Sequence, residues 1–245
     1  MNKIPKIKEL RKLYAKKSTN GFLNPMCDYL AFYPAKIFLY LPFTPNQITI
    51  LWILIKLITL FFIAKGGYLV TVFSLLIFQL ASIIDGVDGI VARYRKHYSL
   101  NGMYLDYIGH YLCNSLLLIA LALGIYNQTG DLIIFIASGI ATFTFLLSKA
   151  LTINLAWYGN INQRNEMTKL IFGENISLKS QKRGLLSIIS DFLLMDNPFN
   201  LMFFGVLFGF PEIILWVYAL ALSLELVRKL FYQFWIIFKY ERLEK

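Results

Sequence analysis

Charge is scarce in this sequence. Charged residues make up 16% of it and hydrophobic ones 58%, a balance that excludes an ordinary soluble domain. Cysteine is scarce too. Cys27 and Cys113 form neither a disulfide framework nor a zinc pattern, so both are read as structural. The basic N-terminus is not followed by a short apolar core with a small-residue cleavage site, so no cleavable signal peptide is expected. No internal repeat is visible, and nothing remains for a second, soluble domain.

Long apolar runs are what the chain has in quantity. Runs of about 20 residues, enough to cross a hydrocarbon core, recur along it. The fold expected is all-α: a polytopic membrane protein with six transmembrane helices over 48–64, 68–92, 103–126, 132–157, 185–210 and 212–238. The Gly66-Gly67 turn makes the first two antiparallel neighbours, a polar stretch at 159–184 precedes the fifth, and Pro211 splits the last two. Thr44 followed by Pro45 predicts an N-cap and first helical position ahead of the first span. Upstream, residues 3–17 set Ile4, Ile7, Leu10, Leu13 and Tyr14 at helical spacing among Lys and Arg, an amphipathic helix suited to the headgroup plane. Residues 29–43, broken by Pro34 and Pro42 and carrying Lys36, read as an interfacial segment. The expected division is therefore an N-terminal amphipathic and interfacial segment, 1–43, and a six-helix membrane domain, 44–245.

The net charge of +10 would suit nucleic acid, but its distribution excludes that partner and points to an anionic membrane surface. With the N-terminus in the cytoplasm, every Lys and Arg outside the spans except Lys65 falls on the cytoplasmic side, counting those from Arg228 onward. Under the positive-inside rule this orients a multi-pass protein with both its N-terminus and the 93–101 loop facing the cytoplasm.

Beside that loop stand Asp85, Asp88, Asp106 and His110. Ionisable groups near membrane depth are rare and read by default as functional. Asp85 and Asp88 are three apart; Gly102, Asp106 and His110 are each four apart, so each set shares a helix face. Two antiparallel helices would bring these faces together, and converging carboxylates suit a hard divalent cation such as Mg²⁺ or Mn²⁺. A cation pathway would need polar groups continuing toward the far side, and spans 1 to 4 beyond the cluster are nearly pure Leu, Ile and Phe. Lys149 in span 4, with Glu225, Arg228 and Lys229 in span 6, are further intramembrane charges. Lys149 is the best candidate among them for an acceptor contact, against a snorkelling alternative.

The stretch from Asp85 onward resembles the signature of the CDP-alcohol phosphotransferase family, D-x2-D-G-x2-A-R-x8-G-x3-D-x3-D. Asp85, Asp88, Gly89, Ala92, Arg93, Gly102 and Asp106 match at the family's spacing, and His110 stands where the family has its last Asp. Asn46 and Thr49 resemble the P-N-x-x-T element that opens the family's first span. The resemblance implies an integral membrane enzyme that transfers a substituted phosphate from a CDP-linked donor to a lipid or polar alcohol, releasing CMP. It implies two Mg²⁺ or Mn²⁺ ions on Asp85, Asp88, Asp106 and His110, and donor contacts from Asn46, Gly89, Ala92, Arg93 and Gly102. It also implies a catalytic role for Asp106 and His110, and a homodimer. The long N-terminal lead leans toward the branch in which a CDP-alcohol donates its head group. Two readings stand for His110. A neutral imidazole can serve as general base or metal ligand, or the residue marks an inactive or altered homologue retaining the fold.

Overall fold

The computed structural model describes residues 4–14, 23–97, 99–158, 195 and 200–243. All its regular elements are helices: α1 (Ile7–Tyr14), α2 (Leu23–Tyr40), α3 (Pro45–Lys65), α4 (Tyr68–Arg95), α5 (Leu100–Thr129), α6 (Ile134–Tyr158), α7 (Leu201–Leu207) and α8 (Pro211–Leu243). Four of them, α3 to α6, are long and apolar enough to cross a membrane; they coincide with expected spans 1 to 4. The chain is an integral membrane protein of all-α class. Most of expected span 5, the 159–184 stretch and Asp191, Asp196 and Asn197 lie outside the described residues. Helix α8 has the length of a span but carries Glu225, Arg228 and Lys229.

Local chemistry sets the helix boundaries near the site. Thr44 caps α3: its Oγ1 accepts from the Gln47 N–H at 3.3 Å while its own N–H donates to Gln47 Oε1 at 2.9 Å. Pro45 follows, its fixed φ matching the first turn. Lys96 ends α4 in the left-handed region, φ 53°. Ser99 then caps α5, its Oγ accepting from the Gly102 N–H at 3.0 Å. The link between α4 and α5 is therefore short, and the two helices run antiparallel.

The core lies where α3 meets α4 and α5, and where α6 meets α5 and α8. Trp52, Phe78, Leu117, Leu121, Leu215 and Tyr218 are buried in it. On the outer side of α3, Ile50, Leu54, Ile58 and Phe61 are exposed at helical spacing, the side a spanning helix turns to lipid. At the far end, Gly66 takes φ 78°, which a side chain would strain, and a Cβ there would lie 2.5 Å from the Gly124 carbonyl oxygen on α5.

A second buried cluster joins α1, α2, α3 and α4 through Leu10, Phe32, Ala35, Ile48, Val87 and Val91. The amphipathic stripe of the N-terminal segment is thus used differently from the expectation. Leu10 is fully buried, with Ile4, Ile7 and Tyr14 packed on the cluster, and Leu13 is the exposed apolar residue. On α2, Ala31 faces α4, where a Cβ on Gly86 would lie 3.0 Å from its own Cβ. Arg95, counted in the sequence only as a cytoplasmic charge, donates to the carbonyls of Phe38, Leu41 and Phe43. Those are acceptors at and beyond the C-terminal end of α2, where intrahelical partners run out. The bond set fixes the link that leads into Thr44.

Lys56 is the outlier of the core. It is fully buried, its Nζ has no hydrogen-bond partner among the described residues, and it lies 4.8 Å from the ring centroids of both Trp52 and Phe78. Cation–π attraction from two desolvated rings replaces part of the lost hydration.

Candidate functional site

Three helix segments build the site: the start of α3, the end of α4 and the start of α5. His110 Nε2 on α5 lies 3.4 Å from Asp85 Oδ2 on α4 and 3.4 Å from Asp106 Oδ1 one turn back on α5. One ligand atom from each of these three residues falls within 4.8 Å of the others. An ion with bonds of about 2.1 Å places neighbouring ligand atoms roughly 3 Å apart, so the cluster fits one divalent cation after a small closure. His110 and Asp85 are about a fifth exposed, at 22% and 23%, and Asp106 more so, at 41%. The cluster is open on the Asp106 side.

Asp88 takes a different place. Thr49 Oγ1 donates to Asp88 Oδ2 at 2.5 Å, and both residues line a cavity of about 620 Å³. Asn46, Gly89, Ala92, Arg93, Gly102 and Asp106 line the same cavity. All five residues expected to contact the donor therefore share one space. Of the three clustered ligands, Asp106 lines the cavity as well. The volume falls in the range of small-molecule sites.

Several contributors had no role from the sequence. Thr49 was legible as part of the P-N-x-x-T element but not as the partner of Asp88. Trp52, fully buried, holds its ring 5.1 Å from that of His110 at 39°; a Cβ on Gly109 would lie 2.6 Å from this indole, so the glycine lets it in. The run Thr49, Trp52, Lys56 at helical spacing was the available signal. His97 and Ser99 line the cavity too, and the Ser99 hydroxyl donates to Asn46 Oδ1 at 3.3 Å. Away from the site, Lys149 lies over the Phe145 ring, and Lys229 pairs with Glu225 at 3.0 Å and donates to Ser148 at 2.6 Å. None of these partner residues lines the cavity.

Gly102 sets the position of Asn46. A Cβ there would come 2.5 Å from Asn46 Oδ1 and 3.0 Å from Ser99 Oγ. Gly102→Ala is expected to push the Asn46 amide aside and weaken CDP binding about tenfold, a loss of roughly one good polar contact. Titration of CDP into the purified variant checks this; unchanged affinity would remove Asn46 from the donor contacts.

A helical membrane domain thus carries an acidic, metal-sized cluster, one member of which, Asp106, also lines a cavity. Residues 42–223 match the family model described as CDP-alcohol phosphatidyltransferase, and the chain belongs to that family. The family's members are metal-dependent transferases of substituted phosphate groups in lipid synthesis, using CDP-alcohol donors and alcohol acceptors. No curated protein matches the chain.

Proposed function

We propose that this protein transfers a substituted phosphate from a CDP-linked donor to a hydroxyl acceptor and releases CMP, in phospholipid or glycolipid synthesis. The observation carrying this reading is that Asp106 belongs to both the ligand cluster and the cavity. A donor in that cavity would have its diphosphate beside the cluster. Asp85, Asp106 and His110 would hold one ion, and Asp88, with Asp106, a second on the cavity side. Bound divalent ions supply charge neutralisation on the diphosphate. Two carboxylates with one imidazole nitrogen favour Mn²⁺ over Mg²⁺, because nitrogen donors suit a transition metal better.

The chain's own residues do the rest. Asn46 and Gly102 would contact the donor, Gly89 and Ala92 would let it approach the α4 backbone, and Arg93 would hold phosphate oxygens. His110 has one lone pair at Nε2, the atom facing both carboxylates, so it would either help hold the first ion or accept the proton of the attacking hydroxyl, not both at once. A CDP-alcohol is the favoured donor and a lipid hydroxyl the acceptor, with the site toward the cytoplasm as the charge distribution implies. The homodimer is carried on the resemblance.

A second, non-catalytic reading rests on the same 3.4 Å distances. A protonated imidazole between two carboxylates pairs with both and needs no metal. CMP release from purified protein, with CDP-alcohols and CDP-diacylglycerol and with and without Mg²⁺ or Mn²⁺, separates the two. Metal-dependent CMP release is expected. Neither release nor nucleotide binding with any donor would leave the non-catalytic reading standing.

A further inference from the structure

The wall of the cavity is fastened from outside by the N-terminal helix. Arg93 Nε donates to the carbonyl oxygen of Tyr14 at 2.8 Å. Tyr14 is the last described residue of α1, and its carbonyl gives the guanidinium a fixed acceptor on that helix. The far end of the same guanidinium lies over Gly89: a Cβ there would be 3.2 Å from Arg93 Nη1. Gly89 and Arg93 both line the cavity. One side chain therefore reaches from α1 to the place where the donor would lie.

Helix α1 is itself held at defined points. Leu10 is fully buried in the cluster shared with α2 and α4. The Arg11 guanidinium sits 3.3 Å from the Tyr29 ring centroid on α2 and donates to the Tyr29 carbonyl at 3.3 Å. The Tyr14 ring packs edge-on against Tyr94, the neighbour of Arg93, at 5.6 Å. These contacts fix where the Tyr14 carbonyl points.

We propose that α1 is a latch that presets Arg93 for the donor diphosphate, with Tyr14 a positioning residue acting through its carbonyl and Arg11 the bolt that keeps it there. An untethered arginine has several rotamers to lose on binding a phosphate, whereas one already fixed at Nε loses fewer. Releasing the latch therefore weakens donor binding and leaves turnover of bound donor unchanged, the pattern of a lost ground-state contact. The proposal rests on the reading that the cavity takes the CDP portion of the donor.

The test is a double-mutant cycle on the full-length protein, with CDP in the presence of Mn²⁺ as the probe. Arg11→Ala is expected to weaken CDP binding about tenfold, Arg11→Lys to restore most of it through the retained cation, and Arg93→Ala to weaken it at least as much as Arg11→Ala. With Arg93 already gone, adding Arg11→Ala should cost nothing further. Fully additive losses, or unchanged CDP affinity in Arg11→Ala, would overturn the latch and leave the enzymatic reading in place. Wild-type protein that binds no CDP would take down the cavity reading, and the latch with it. If Arg11→Ala does not purify, Leu10→Ala loosens the same helix from its other anchor and enters the same cycle.

Discussion

His110→Ala is expected to lower metal-dependent CMP release by at least about 100-fold, the usual weight of a general base, while His110→Asp retains measurable transfer. The imidazole is the group to which both neighbouring carboxylates come, at 3.4 Å each. Alanine leaves Asp85 and Asp106 to face one another across the gap and removes a nitrogen ligand at the same time. Aspartate restores a proton acceptor and a hard oxygen ligand but adds negative charge, so its metal preference should move from Mn²⁺ toward Mg²⁺. Release rates at saturating donor, with Mn²⁺ affinity measured on the same variants, separate the two roles. Wild-type turnover in the alanine variant would exclude His110 as base. Wild-type Mn²⁺ affinity with lost turnover would make it the base without being a ligand.

The largest effect on the fold is expected from Gly124→Ala. A Cβ at this position would lie 2.3 Å from the Ile63 carbonyl oxygen and 3.4 Å from the Gly66 Cα, both backbone atoms. Neither can rotate away. Ile63 O already accepts from the Gly66 N–H at 3.0 Å, and Asn127 Nδ2 ties α5 to the Ala64 carbonyl at 2.9 Å. Relief requires α3 and α5 to separate, which loosens the packing of Leu60, Ile63, Leu121 and Ile125. Small residues at such crossings let helix backbones approach closely. The penalty for overpacking here is on the order of 3 kcal/mol, which for a chain of this size lowers the melting point by roughly 6–12 °C. Thermal unfolding in detergent checks it, with Gly139→Ala as control, since a Cβ there meets nothing within 4 Å among the described residues. Equal melting points for the two variants would show that the crossing has slack.

The spans α3 to α6 were legible because a run of about 20 apolar residues has few other stable solutions in a chain this short of charge. The start of α3 was legible from Thr44 and Pro45 for a local, stereochemical reason. The fate of the N-terminal stripe was not: Ile7, Leu10 and Tyr14 present the same periodicity whether lipid or protein covers them. The division of labour between Asp85 and Asp88 was also hidden. Three residues on a helix differ by about 60° in direction. That is small enough for a shared face, yet large enough for one carboxylate to meet His110 and the other Thr49. Trp52 escaped notice because a tryptophan in an apolar run looks like any core residue, and only the α5 crossing at Gly109 places it against His110.

Lys56 bears on how the chain enters the bilayer at all. A lysine near the middle of a lone helix adds about 2.5–3.5 kcal/mol to the free energy of insertion. One of the two rings that compensate it, Phe78, belongs to α4, which emerges from the ribosome only after α3 and the two-glycine turn. The charge is matched once both helices are present. Insertion of α3 and α4 as a hairpin, rather than one after the other, is the order of assembly that keeps this ammonium from facing lipid alone.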